Sequence, residues 1–135
     1  MAAAGRARLH AERCPFFSRV TSAARHWGER AFKLEAPQKA GGTLRDHLLA
    51  AQRSGAAVPE LDLPPPPPEL HFALPAFRDL CNRRPFSQGV PLPLPATEIL
   101  AWSQLTGQRM TQRDFTLVTV LDHAWLKAIR SEEPH

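Results

Sequence analysis

The stretch that decides the fold is residues 94–130, LPATEILAWSQLTGQRMTQRDFTLVTVLDHAWLKAIR. Two helical patterns are separated by Gly107, because glycine readily adopts the left-handed conformation in which many helices end. Thr111 and Asp114 then form the T-x-x-D signature of a helix N-terminus. The stretch therefore predicts two helices, from Ala96 to Thr106 and from Gln112 to Arg130, joined by a short connection.

Apolar residues recur on both predicted helices at spacings that suit one buried face each. We expect the helices to form an αα-hairpin around one buried cluster. Its members would be Ile99, Trp102, Leu105, Val118, Leu121 and Trp125.

Prolines dominate the sequence before this pair. Pro64–Pro68 is an unbroken run that predicts polyproline II structure and a stiff linker, with binding to a proline-reading module as the alternative. Residues 69–82 predict a helix that Pro75 either kinks, which we favour, or delays to about its own position. Residues 83–95 hold four prolines and a glycine, so an irregular loop is expected, with Val90, Leu92 and Leu94 packing loosely on the body.

The N-terminal part of the chain is basic. Residues 1–59 carry ten Lys/Arg and four acids, whereas residues 60–135 carry seven and nine, so the net charges are about +6 and −2. An amphipathic stripe runs from Phe16 through Val20 and Trp27 to Ala31, and Thr43 with Asp46 starts a short helix over 44–53 that stops at Gly55. The +6 excess favours a solvated basic arm or one that binds an acidic partner.

The sequence as a whole predicts an all-α protein. Its C-terminal αα-hairpin would follow a proline-rich linker and a partly disordered basic N-terminal arm. We divide the chain into the arm at 1–42, a short helix and connector at 43–63, the polyproline linker at 64–68 and a helical domain at 69–130.

No residue pattern supports catalysis, a cofactor or a metal site. Nucleotide-binding glycine motifs and a nucleophile elbow are lacking, and the six histidines never pair at metal-ligand spacing. Cys14 and Cys81 are interpreted as two reduced thiols, with one disulfide as the alternative. No apolar run is long enough to span a membrane, and the start lacks a secretory h-region, although its Arg- and Ala-rich composition is also that of a mitochondrial presequence. We expect a non-enzymatic cytoplasmic protein.

Two acidic residues on the last two predicted helices are candidates for a structural or binding role. Asp122 lies beside the apolar face of the last helix, where a carboxylate needs a partner, and the candidates are loop backbone or the Trp102 indole N–H. Glu98 matches the dipole at the start of its helix.

The helix pair could also be a DNA-binding helix-turn-helix. Its second helix, however, has Arg113 as its only early cation, so any binding would use phosphates and basic residues between 6 and 53.

The order of motifs from Thr43 onward resembles the tail assembly chaperones of long-tailed bacteriophages and prophages. The helix start T-L-R-D-H-L at 43–48 leads to P-P-P-E-L at 66–70 and to F-R-D-L-C-N-R at 77–83. The specific part is E-I-x-x-W-x-x-L-T-G at 98–107 followed by L-D-x-A-W-L at 121–126. Pro75 departs from the pattern, and residues 1–42 fall outside it.

This resemblance implies a chaperone of virion morphogenesis that binds the tape-measure and tail tube proteins in the bacterial cytoplasm and is absent from the mature tail. Such chaperones are often expressed by ribosomal frameshift as an extension of an upstream protein. The residues it marks as partner-binding or core positions are Phe77, Arg83, Glu98, Ile99, Trp102, Leu105, Gly107, Leu121, Asp122, Trp125 and Leu126. The rival hypothesis is a small nucleic-acid-binding adaptor that uses the basic arm and the helix pair.

Overall fold

The computed structural model describes residues 15–131 and has five α-helices in that range. They are α1 (Pro15–Glu35), α2 (Leu44–Arg53), α3 (Ala73–Leu80), α4 (Ala96–Thr106) and α5 (Gln112–Ser131). Short 3-10 helices lie at Pro59–Leu61, Pro68–Leu70 and Cys81–Arg83, and an antiparallel hairpin joins β1 (Phe86–Ser87) to β2 (Val90–Pro91). The structure is mostly helical, which is roughly consistent with the predicted all-α class. None of the described helices is long and apolar enough to cross a membrane.

Helix α1 is part of the core. Val20, Ala24, Trp27 and Ala31 are buried along one of its faces, and α1 packs on α5 more extensively than any other two described elements pack together. Burial of such an apolar stripe removes it from water and stabilises the helix through packing rather than through intrinsic propensity. The expectation of an arm over residues 1–42 is therefore wrong for residues 15–36, while residues 1–14 lie outside the described range.

A glycine allows α1 and α5 to lie close together. A Cβ atom at Gly28 would lie 3.2 Å from Cβ of Ala124 and 3.4 Å from Cδ2 of Leu121. Only a residue without a side chain fits this point of the helix contact without displacing its neighbours.

Helix α2 has the predicted start. The Thr43 hydroxyl accepts a hydrogen bond from the Asp46 N–H at 3.3 Å, and the Asp46 carboxylate accepts one from the Thr43 N–H at 2.9 Å. The hydrogen bond from the Thr43 N–H lowers the pKa of the Asp46 carboxyl most, and interaction of the carboxyl with the Thr43 side chain lowers it further. Residue Gly55, with φ +99°, follows the end of α2 as expected, and no residue of α2 is buried, so α2 lies on the outside of the molecule.

Pro75 delays α3 rather than kinking it. Residues 68–70 form a 3-10 turn, and α3 begins only at Ala73. Pro75 is then the third residue of the helix, where an N–H would have no intrahelical partner and its loss costs little. The favoured kink was wrong, and the delayed start is what the structure has.

The ends of α4 and α5 agree with the sequence prediction, but their packing does not. Gly107 is left-handed with φ +70°, and Asp114 accepts hydrogen bonds from both the N–H and the hydroxyl of Thr111. Helix α5, however, packs mainly on α1 and next on α3, while α4 contacts α3, so the expected αα-hairpin is not the main packed pair.

The predicted buried cluster is wrong at Leu105. Ile99, Trp102, Val118 and Leu121 are buried in one core, and the half-buried Trp125 packs against it, but Leu105 is 80% exposed. Each step of three residues turns the helix by about 300°, so two such steps leave Leu105 roughly 120° from Ile99. Residues that are spaced by exactly three therefore turn progressively away from the buried face of the helix.

The loop before α4 contains regular structure where none was expected. Strands β1 and β2 are joined by Gln88 and Gly89, whose φ values of 52° and 81° are those of a two-residue hairpin turn. Of the three apolar residues expected to pack loosely, Leu94 is buried, whereas Val90 and Leu92 are exposed.

Candidate partner-binding surface

An open apolar groove lies between α4 and the beginning of α5. Because these helices contact each other little, a space of about 350 Å³ remains between them. Ile99, Leu100 and Ser103 line it from α4, and Met110 and Phe115 line it from the other side. Ile99 is buried at the floor, whereas the Leu100 and Phe115 side chains are exposed. Exposed apolar side chains that converge on one groove are typical of a protein-binding surface.

Local hydrogen bonds hold the walls of the groove. The Ser103 hydroxyl donates to the Gln108 carbonyl at 2.6 Å, and the Thr106 hydroxyl donates to the Trp102 carbonyl at 2.7 Å. Together with the left-handed Gly107 and the Thr111 cap, they fix the connection from α4 to α5. The groove is therefore formed before any partner arrives, which lowers the entropy cost of binding.

The indole of Trp102 anchors α4 to α3. Its N–H donates to Asp79 at 2.5 Å, and its ring centroid lies 6.5 Å from that of Phe72 in an edge-on arrangement. Asp79, rather than the Asp122 considered from the sequence, is therefore the partner of this indole. These contacts hold α4, which forms one wall of the groove, against α3.

Asp122 binds the loop that precedes α4. It accepts a hydrogen bond from Arg84 at 2.5 Å and another from the Leu94 N–H at 2.9 Å. The sequence analysis expected a contact with loop backbone, but it did not expect the Arg84 guanidinium. The Arg84 and Asp122 side chains are only 1% and 4% exposed. Arg84 also donates to the Leu92 carbonyl at 2.8 Å and stacks over the Trp125 ring at 4.2 Å. One buried ion pair thus ties the loop to α5.

The sequence analysis named Arg83 among the candidate residues but did not identify the arginine that pairs with Asp122. Arg83 is exposed, while its neighbour Arg84 is the buried partner of Asp122. The signal available was the need of a buried Asp122 for a cation, together with Pro85, which restricts Arg84 to the extended backbone found here. Neither signal reveals that Arg84, which precedes Asp122 by 38 positions in the sequence, contacts it in the folded protein.

The predicted partner-binding or core residues are divided between the interior and the surface of the protein. Six are buried, namely Phe77, Ile99, Trp102, Leu121, Asp122 and Leu126. Glu98 and Trp125 are half-buried, and Arg83, Leu105 and Gly107 are exposed. Leu100 and Phe115, the exposed walls of the groove, were not among the predicted site residues.

The remaining chemistry of the described residues is sparse. Burial raises the pKa of the free Cys81 thiol, and Arg84, whose guanidinium lies 3.6 Å from the sulfur, opposes that rise. No cluster of three potential metal ligands occurs between residues 15 and 131. Cys14 lies outside that range.

A comparison with models of known protein families shows to which family the chain belongs. A family model described as phage tail assembly chaperone matches residues 50–127, more than half of the 135-residue chain. The chain belongs to the phage tail assembly chaperone family. The matched range includes the groove, the hairpin and the Arg84–Asp122 pair, but it leaves out α1, which completes the core of this chaperone. No curated protein and no solved structure matches the chain.

Proposed function

We propose that this chaperone binds the tape-measure and tail tube proteins of a long-tailed phage or prophage while the tail is assembled. It would keep the tape-measure protein soluble, bring tube subunits to it, and leave before the tail is complete. The family match over residues 50–127 is the observation that carries the proposal. The action is binding rather than catalysis, and its place is the cytoplasm of the bacterial host.

The groove between α4 and α5 is the surface we assign to this binding. It lies wholly inside the matched range and exposes Leu100 and Phe115 beside the buried Ile99. An amphipathic helix of a client protein would bury its apolar face there, as in other helix-in-groove complexes.

Geometry disfavours the rival DNA-binding adaptor. A recognition helix contacts bases and phosphates with polar and cationic side chains of its first turns, but residues 112–118 of α5 include Arg113 as their only cation. Arg113, the early cation of that helix, instead lies 5.8 Å from the Phe16 ring and 6.0 Å from the Phe17 ring.

Co-purification tests the proposal. The tagged chain is co-expressed with the tail tube and tape-measure proteins of the same phage or prophage and purified at about 50 and 200 mM salt. We expect both proteins to be retained at both concentrations, because apolar binding tolerates salt, whereas binding through phosphate contacts weakens steeply over this range. Retention of neither protein, with salt-resistant and sequence-selective duplex binding instead, would favour the adaptor.

A matched pair of leucines on α4 localises the binding. Leu100→Ser removes an exposed wall of the groove, whereas Leu105→Ser changes an exposed leucine that does not line it. We expect the first variant to lose its clients and the second to retain them. Equal retention by both variants would show that clients bind elsewhere.

A further inference from the structure

The five prolines at 64–68 form an extended, pre-shaped segment. Each proline ring fixes φ near −65°, and every residue before a proline is restricted to extended backbone. Pro67 has φ −54° and ψ 141°, close to polyproline II values. At about 3.1 Å per residue, the run covers roughly 15 Å.

Both ends of this run are attached to the core of the protein. The Trp27 indole N–H donates to the Pro64 carbonyl at 2.9 Å, and Arg30 donates to the Asp62 carbonyl at 3.3 Å. Leu63 packs against the core on one side, and Leu70 is buried on the other. The segment is thereby held in one conformation before any ligand arrives.

The outer side of the run is unoccupied by the rest of the described chain. Pro64, Pro65, Pro66 and Pro68 are exposed. The carbonyl oxygens of Pro64, Pro67 and Pro68 accept hydrogen bonds from Trp27, Leu70 and His71, whereas those of Pro65 and Pro66 accept none within residues 15–131. Proline has no N–H, so such a segment cannot join a sheet, but its rings and free carbonyls suit another kind of partner.

We propose that residues 64–68 are a second partner-binding site, recognised by a protein with an aromatic-lined groove. Polyproline II segments bind such grooves because their rings pack on aromatic side chains and little conformational entropy is lost. The free carbonyls of Pro65 and Pro66 would accept hydrogen bonds from donors in the groove. Asp62 and Glu69 flank the run, so positive charge at the rim of the partner's groove would favour binding. The alternative role for the run is a brace that only holds α1 and α3 together.

Calorimetric titration distinguishes the two roles. The probe is a purified EVH1 domain, whose aromatic-lined groove binds proline-rich segments. It is titrated with the full chain and with a synthetic peptide of residues 61–70. We expect the full chain to bind at least as tightly as the peptide, because the fold already holds the run in its binding shape.

Paired proline variants make this test specific. Pro65→Ala combined with Pro66→Ala should weaken binding of the full chain at least tenfold, while Pro93→Ala, at an exposed proline outside the run, should leave it unchanged. Leu100→Ser should also leave it unchanged, which separates this site from the α4–α5 groove. Thermal unfolding checks that the variants stay folded. Binding by the peptide but not by the chain, binding by neither, or equal binding by the double variant would each overturn the proposal and leave the run as a brace.

Discussion

Replacing Arg84 by methionine should destabilise the protein by about 3–5 kcal/mol, because it leaves the Asp122 carboxylate buried without its cation. Met has a similar length, so most packing against Trp125 is kept and the loss is chiefly electrostatic. The substitution also removes the 2.8 Å hydrogen bond to Leu92. The ion pair is almost fully buried, with side chains 1% and 4% exposed, so solvent screening does not reduce this cost.

Two further variants turn this into a controlled experiment. Arg83→Met changes the neighbouring exposed arginine and should alter the free energy of unfolding by less than about 0.5 kcal/mol. Arg84→Met combined with Asp122→Leu removes both charges and should recover much of the loss, since replacing a buried pair by apolar residues is often nearly neutral. Urea unfolding followed by tryptophan fluorescence measures all three. A loss below about 1 kcal/mol for Arg84→Met, or an equal loss for Arg83→Met, would refute the electrostatic account.

Three other outcomes follow from α1 and α2. Deleting residues 1–42 should abolish cooperative thermal unfolding, because α1 supplies part of the core; an intact transition in the shortened chain would show that α1 is dispensable. Gly28→Val should cost about 1–3 kcal/mol in urea unfolding because it forces α1 away from α5, whereas Ser22→Val on an exposed turn of α1 should cost little. The pKa of Asp46 is lowered by its bonds to Thr43, so its stabilising contribution is present above the unfolded pKa of about 3.9 and is lost as the pH falls through the folded value. Asp46→Asn should flatten the dependence of the melting temperature on pH in that acid range, and an unchanged profile would contradict the role of this cap.

Local signals were predictable from the sequence because they act over a few residues. Gly107 and the Thr111–Asp114 cap fix the ends of α4 and α5 through atoms at most three or four positions apart. The same holds for Thr43, whose hydroxyl caps α2 through a bond to the third residue beyond it. These elements therefore have the bounds that the residue pattern indicates.

The packing of the helices depends on contacts between residues that are far apart in the sequence, so local sequence signals did not predict it. The apolar stripe of α1 is visible in the sequence, but nothing local shows that it covers α5 instead of lying in a basic arm. Arg84 lies 38 residues from Asp122, and its choice over Arg83 depends on the path of the loop. The groove was missed because Leu100 becomes a surface feature only where α4 and α5 diverge.

The most direct test of the chaperone account is the soluble fraction of the tape-measure protein when it is co-expressed with this chain. We expect the protein to be soluble with the unmodified chain and with Leu105→Asp, and to aggregate with Leu100→Asp as it does without the chain. These two leucines lie on the same helix and are both exposed, so they differ mainly in whether they line the groove. A tape-measure protein whose solubility is the same with and without the chain would contradict the account.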